Sequence, residues 1–111
     1  MGSKSEEDHA ADEAAFREAN EQIRQAQREL KPDAERVPFL CECEERSCRE
    51  PILLPPAEYE LIRSESTHFV IVSGHPTDGD VVSERDGHAV VRKSGRGGDI
   101  AIETDPRKED A

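Results

Sequence analysis

The sequence is poor in the residues that build large hydrophobic cores. It has no tryptophan, one tyrosine and three phenylalanines in 111 residues, and hydrophobic residues make up 33% of the chain. Its longest apolar run, Phe69–Val72, is far shorter than the roughly 18 residues that a membrane-spanning helix needs. The opening stretch MGSKSEEDHA contains no apolar segment, so we expect no secretory signal and a cytoplasmic location.

The charge of the chain is predominantly of one sign. Asp and Glu number 26 against 15 Lys and Arg, which gives a net charge of -11, and each third of the chain is net negative. A nucleic-acid-binding surface needs a basic face, so this composition disfavours nucleic acid as a partner. The sequence also lacks a phosphate-binding loop, a dinucleotide-binding fingerprint and the G-x-S-x-G motif of hydrolases. We therefore expect a binding protein and not an enzyme.

The three cysteines, Cys41, Cys43 and Cys48, are concentrated in one short segment. An odd count without a secretory signal argues against a disulfide framework. The spacing C-x-C-x4-C instead presents three thiolates on one loop, as zinc knuckles do. We predict that His75 is the fourth ligand, because Gly74 frees the backbone at the point where a buried strand ends. The sequence thus predicts one structural Zn²⁺ site with no open coordination position.

Sequence alone leaves other roles open for these residues. His68 is the rival fourth ligand, and a nearby carboxylate is a further candidate. The thiols can also be free cysteines in a reduced compartment, or redox-active, with Cys48 pairing with Cys41 or Cys43. A Cys41–Cys43 disulfide would close a very tight ring. We expect the other acidic and histidine side chains around the motif and the hairpin to be solvated: Glu42, Glu44, Glu45 and His88, with His9 in a disordered lead.

A bound metal would also compensate for the small hydrophobic core of this chain. A domain of this length with so few large apolar side chains has a marginal core, and such domains commonly need a metal, a disulfide or an oligomer. A structural zinc site supplies on the order of 10 kcal/mol of apparent binding free energy, which is coupled to folding. Arg46 and Arg49 flank Cys48, and we expect them to donate hydrogen bonds to the sulfurs.

The pattern of apolar residues predicts an α+β fold. We expect an N-terminal amphipathic helix, then a small zinc-stabilised domain with a short helix and an antiparallel sheet of three or four strands. Asp86-Gly87 predicts a type I′ turn between the strands Val81–Glu84 and His88–Lys93. Residues 95–98 predict a flexible turn, and Asp99–Glu103 a short strand or a helical turn. The predicted segments are a disordered lead (1–9), a helix (10–31, regular from Asp12 to Leu30), the zinc domain (37–103) and a disordered tail (104–111).

The helix carries a narrow apolar seam spaced three and four residues apart. Its members are Phe16, Ala19, Ile23, Ala26 and Leu30. Because two of the five are alanine, the seam buries little by itself and must dock on another surface. That surface can be the same domain, a second copy of the chain in a homodimer, or a partner protein.

Several motifs together resemble a known group of sequences. The segment Phe39-Leu-Cys41-Glu-Cys43, the third cysteine, Glu58-Tyr59-Glu60, Phe69 and Gly74-His75 are similar to an uncharacterised family of small proteins from high-GC actinobacteria. The resemblance covers residues 15–105 and includes the helix that begins near Phe16. It implies a bacterial origin, a shared architecture and cysteine and histidine positions that belong together, and it implies no activity.

These observations favour a small, acidic zinc-binding module that acts through protein–protein contacts as a regulator or adaptor. A thiol redox sensor, in which oxidation of the cysteine cluster releases zinc, is the alternative from another class. A zinc-ribbon-like nucleic-acid-binding protein is the third possibility, and the net charge of -11 opposes it at long range.

Overall fold

The computed structural model describes residues 6–45 and 47–107, and within them it confirms the predicted α+β class. Three helices accompany a two-stranded and a three-stranded antiparallel sheet in this part of the chain. None of the helices in these residues has the length and apolar character to cross a membrane. The elements are α1 (Glu6–Leu30), β1 (Val37–Leu40), β2 (Pro51–Leu54), α2 (Pro56–Arg63), β3 (His68–Val72), β4 (Asp80–Arg85), β5 (His88–Arg92) and α3 (Gly95–Glu103).

The cysteine segment is the loop of a β-hairpin. Strands β1 and β2 pair antiparallel from Val37 opposite Leu54 to Leu40 opposite Pro51, and residues 41–50 connect them. The loop then runs beside β3, because the Glu42 backbone N–H donates to the Val70 carbonyl at 2.7 Å. This contact attaches the small sheet to the larger one.

The larger sheet has the order β3-β5-β4, with every pairing antiparallel. Asp86 and Gly87 join β4 to β5 with φ values of 52° and 84°, in the left-handed region that a type I′ turn requires. The predicted hairpin turn is therefore confirmed. Strand β3 is buried along its centre, whereas every residue of the edge strand β4 is exposed.

The core lies between the two sheets and α2. The rings of Phe39 and Tyr59 stack with centroids 4.1 Å apart and planes 12° apart, which joins β1 to α2. Strands β3 and β5 contribute further buried side chains, including Phe69, Ile71 and Val91.

Helix α1 begins at Glu6, so the prediction of a disordered lead is wrong for residues 6–9, and residues 1–5 lie outside the described part. The helix docks on its own domain, against α3 and β1. Only part of the apolar seam is buried by this docking, since Phe16 is buried while Ala26 and Leu30 are exposed. The rest of the docked face is polar: Glu13, Arg17, Asn20 and Gln27 are buried.

The prediction for the segment after β5 is confirmed only in part. Residues 95–103 form helix α3, which confirms the helical alternative for Asp99–Glu103, whereas the flexible turn predicted for residues 95–98 is wrong. Glycine lowers helix propensity, so residues 95–98 carry little local signal for a helix, and tertiary packing overrides it. A side chain at Gly98 would place its Cβ 2.9 Å from the Lys93 carbonyl oxygen, and glycine allows this close approach.

The predicted disordered tail is also wrong for residues 104–107. Asp105 is buried and accepts a hydrogen bond from Arg63 and another, at 2.6 Å, from the Ser66 hydroxyl. Arg107 bonds to Glu21 on α1 and to Glu60 on α2. These ion pairs hold the segment after α3 against the first two helices, and residues 108–111 lie outside the described part.

Candidate metal centre

The structure brings Cys41, Cys43, Cys48 and His75 together. One potential ligand atom from each residue lies within 4.8 Å of the others. The Nδ1 atom of His75 is 3.4 Å from the Cys41 sulfur and 3.8 Å from the Cys48 sulfur. All three cysteines are unpaired thiols.

These separations suit a tetrahedral ion. With metal–sulfur bonds of about 2.3 Å and metal–nitrogen bonds of about 2.05 Å, neighbouring ligand atoms lie roughly 3.5–3.8 Å apart. The two measured distances from His75 Nδ1 fall close to that range. The cluster could therefore hold one metal ion with little movement of its ligands.

Backbone hydrogen bonds position the candidate ligands. The Cys41 N–H donates to the Glu50 carbonyl across the base of the loop at 3.1 Å, and the Cys48 N–H closes a turn onto Glu45 at 2.9 Å. His75 follows β3 through Gly74, whose φ of 86° is readily adopted only by glycine. The His75 N–H donates back to the Val72 carbonyl at 3.1 Å. The turn after β3 thus directs the imidazole to the cysteine loop.

The three cysteines differ in how deeply they are buried. Cys41 and Cys43 are at most 1% exposed, whereas Cys48 is half-buried. Burial raises the pKa of both the Cys41 and Cys43 thiols, although the Val72 N–H, 3.1 Å from the Cys41 sulfur, opposes the shift at that residue. A bound cation reverses this effect, because a coordinating thiol loses its proton. The two buried thiols, Cys41 and Cys43, are therefore suited to a cation and poorly suited to carry charge alone.

Residues around the cluster support the ligands. The Nε2 atom of His75, which faces away from the sulfurs, is 3.6 Å from a carboxylate oxygen of Glu50. A carboxylate on the outer nitrogen is the usual partner of a metal-bound histidine and orients its ring. Arg49 donates to the Cys48 carbonyl at 2.8 Å and lies over the Phe16 ring. The predicted role of Arg46 falls on a residue outside the described part.

Glu42 is the residue that sequence reasoning missed. It is fully buried, so the prediction that it is solvated is wrong. Its carboxylate accepts hydrogen bonds from Asn20 at 2.7 Å, from the Tyr59 hydroxyl at 3.1 Å and from the Val70 N–H at 3.0 Å. Burial raises the pKa of this carboxyl group, and the donors oppose the shift. Glu42 thereby attaches the cysteine loop to α1, α2 and β3.

The alternating order Cys-Glu-Cys is the sequence signal that could have predicted the burial of Glu42. In an extended segment, neighbouring side chains point to opposite sides, so two cysteines facing an ion direct the residue between them into the protein. Glu44 is buried as well, with its carboxylate 3.9 Å from the Lys93 ammonium, which again contradicts the expectation of a solvated side chain. Glu45 is exposed, as predicted.

The other histidines do not join the cluster. His68, the rival ligand, begins β3, and His75 follows the end of that strand. The prediction that His88 is solvated is wrong, because it is 5% exposed and its Nε2 lies 3.4 Å from a carboxylate oxygen of Glu58. The side chain of His9 is outside the described part. Within residues 6–45 and 47–107, His75 is the histidine that lies with the cysteines.

Comparison with protein-family models, curated proteins and solved structures finds no match to this chain. The resemblance to small actinobacterial proteins therefore stays a prediction. The function has to be inferred from the geometry of the site and the surfaces around it.

Proposed function

We propose that this protein is a small zinc-stabilised module that acts through contacts with another protein. The observation that supports it best is the Cys3His cluster, whose four potential ligand atoms lie within 4.8 Å of one another. Three sulfurs and one imidazole nitrogen are ligands that zinc prefers, and sulfur-rich tetrahedral sites disfavour the hard cations Mg²⁺ and Ca²⁺.

The ligand count favours a structural role for the ion. Four protein ligands complete a tetrahedron and leave no position for water or substrate, whereas catalytic zinc sites keep one position open. The ion would cross-link the β1–β2 loop to the turn after β3, and it would add to the hydrogen bond from the Glu44 N–H to the Pro76 carbonyl that already joins them. We therefore propose stabilisation of the fold as the role of the metal, and no catalytic activity.

The surface offers an apolar groove for a partner. The groove lies between the end of α1 and strand β1 and has a volume of about 300 Å³. Leu30 lies at this groove and is 79% exposed. The groove is lined mostly by apolar side chains, which is typical of sites that receive a partner's side chains. Its lining includes Ile23, Ala26, Leu30, Ala34, Val37 and Pro38.

A homodimer is the alternative occupant of this surface. Because Phe16 is already buried within the chain, a dimer would use Ala26 and Leu30 and not the whole predicted seam. Nucleic acid is a weaker proposal, since the net charge of -11 repels phosphate.

Metal analysis and two histidine variants test the zinc site. We expect one zinc per chain in the purified protein. His75→Ala should weaken zinc affinity by at least about 100-fold, because a ligand is lost. His68→Ala is the matched control. His68 begins β3 and lies outside the cluster, so this variant should keep its full zinc content.

Chelation tests whether the ion stabilises the fold. Removing zinc with a chelator should lower the thermal midpoint of unfolding markedly, because metal binding is coupled to folding. A chain that folds equally well with and without chelator would contradict the proposal, as would stoichiometric iron in place of zinc.

A further inference from the structure

Access to the candidate metal centre is uneven, and one of its three cysteines is only half-buried. A surface depression of about 390 Å³ reaches the cluster from outside. Cys48 and His75 line it, whereas Cys41 and Cys43 lie behind them at no more than 1% exposure. A small molecule in solvent therefore meets the Cys48 sulfur before either of the other two.

We propose that Cys48 is an oxidation site through which hydrogen peroxide removes the metal. This inference rests on the proposed zinc site and concerns its regulation. Zinc coordination keeps the sulfur of Cys48 as a thiolate, which is the nucleophilic form of cysteine. Hydrogen peroxide is small and uncharged, so the neighbouring acids Glu45 and Glu50 do not repel it.

The first step forms a sulfenic acid at Cys48. The thiolate attacks one peroxide oxygen, the new S–O bond forms as the O–O bond breaks, and hydroxide leaves. The sulfur loses its negative charge in this step and becomes a poor ligand for zinc.

The second step uses a neighbouring thiolate, and the structure favours Cys43. The Cys43 sulfur lies within 4.8 Å of the Cys48 sulfur, so it is close to the oxidised one. The Cys43 thiolate attacks the sulfenic sulfur, an S–S bond forms as the S–O bond breaks, and a second hydroxide leaves. Two thiolates have then been oxidised to one disulfide, and one peroxide has been reduced to two hydroxides, which two protons convert to water.

Cys41 is the least suited to take part. It continues directly from β1, its N–H is bonded to Glu50, and its sulfur accepts the Val72 N–H at 3.1 Å. These bonds hold Cys41 at the base of the loop and against β3, whereas Cys43 and Cys48 lie farther along the loop. Oxidation leaves Cys41 and His75 as the only members of the cluster able to bind, and two ligands hold zinc weakly. Zinc release then removes the metal link between the loop and the turn after β3, while the hydrogen bonds of Glu42 to Val70 remain.

Peroxide treatment of the zinc-loaded protein tests this inference. Zinc content is measured first, so an absent metal would refute the proposed site before any oxidant is added. A colorimetric indicator then follows zinc release, and peptide mass spectrometry with a sulfenic-acid trap identifies the modified residue. We expect the trap on Cys48, one Cys43–Cys48 disulfide and one zinc released per chain. A first modification at Cys41 or Cys43, or retention of zinc in peroxide, would overturn the inference while leaving the zinc site intact.

A ligand exchange provides the matched variant. Cys48→His keeps a metal ligand at the exposed position and removes its oxidisable sulfur, so zinc release in peroxide should slow by more than about tenfold. Cys43→His keeps the exposed thiolate and should still be trapped at Cys48. Equal release rates for Cys48→His and the wild type would contradict the inference. If either variant fails to fold, the residue trapped in the wild type still decides the question.

Discussion

Glu13 and Lys93 form an ion pair in which neither side chain is more than 1% exposed. The ammonium lies 3.0 Å from one carboxylate oxygen and 3.3 Å from the other. Burial raises the pKa of Glu13 from 4.5 to about 7, even though Lys93 opposes the shift. The folded state therefore binds this proton more tightly than the unfolded chain does.

This shift predicts a pH dependence of stability with a definite sign. Between about pH 4.5 and pH 7 the unfolded chain has lost the Glu13 proton and the folded chain retains it, so the contribution of Glu13 to the free energy of unfolding falls as the pH rises, by about 3 kcal/mol in all. We expect the wild type to gain stability relative to Glu13→Gln as the pH is lowered from 8 to 5. Urea unfolding at several pH values measures this difference.

The other titratable groups are common to both proteins, so they cancel from that comparison. Glu18→Gln is the control, since Glu18 is an exposed carboxylate on the same helix. Its difference from the wild type should not vary with pH. A pH-independent difference for Glu13→Gln would show that the Glu13 carboxyl keeps an ordinary pKa.

At the scale of elements, the docking of α1 depends on one amide side chain. Asn20 accepts the Leu40 N–H at 2.7 Å, donates to the Leu40 carbonyl at 2.9 Å and donates to Glu42 at 2.7 Å. It therefore pairs with β1 much as a neighbouring strand would. Arg17 adds a second attachment, with its guanidinium 4.5 Å from the Phe69 ring centroid and a hydrogen bond of 2.6 Å to the Ala101 carbonyl.

Asn20→Ala should lower the free energy of unfolding by about 3 kcal/mol, because the buried carboxylate of Glu42 and the part-buried backbone groups of Leu40 lose their partners. Alanine has the higher helix propensity, so loss of helix cannot explain the effect. Gln22→Ala removes an exposed amide from the same helix and should change the stability little. Equal effects of the two substitutions in urea unfolding would contradict this account of α1.

The elements also show what the sequence could predict and what it could not. The long helix, the strand over residues 68–72 and the Asp86-Gly87 turn have strong local signals, and each is present. The first part of helix α3, residues 95–98, was missed because a glycine there serves close packing, which local propensity does not reveal. The polar docked face of α1 was missed for a similar reason: the partners of Glu13 and Arg17 lie about 80 residues away along the chain.

The candidate site shows the same contrast between residues with a local sequence signal and residues defined by long-range contacts. Cys41, Cys43 and Cys48 could be grouped from their spacing, and His75 from its place after a buried strand. Glu42 and Glu50 support them through contacts that only the folded chain creates. Supporting residues are therefore harder to predict than ligands, since their chemistry is defined by neighbours that are distant in sequence.

At the scale of the whole molecule, the exposed apolar side chains are the best indication of how an acidic protein would meet its partner. Leu30→Glu places a charge beside the groove, and it should reduce capture of a native partner by the zinc-loaded protein more than about tenfold. Ile102→Glu is the control, because Ile102 is a half-exposed apolar residue on α3 that does not line the groove. Cross-linking in native lysate followed by mass spectrometry measures both.

Size-exclusion chromatography with light scattering separates the two kinds of occupant. If the groove binds a second copy, the wild type should be a dimer that Leu30→Glu converts to a monomer. If it binds a different protein, both should be monomers. Capture that is equal for Leu30→Glu and Ile102→Glu would place the contact surface elsewhere.

The polar docked face of α1 has a consequence for synthesis on the ribosome. Helix α1 is made early, yet its partners Lys93, Ala101 and Arg107 are made more than 60 residues after the helix ends. An apolar face exposed for that interval would invite aggregation, as it does in slowly assembling folding intermediates. A face that includes Glu13, Arg17 and Glu21 stays hydrated until these partners are made. The nascent helix can therefore remain in water until residues 93–107 have been synthesised.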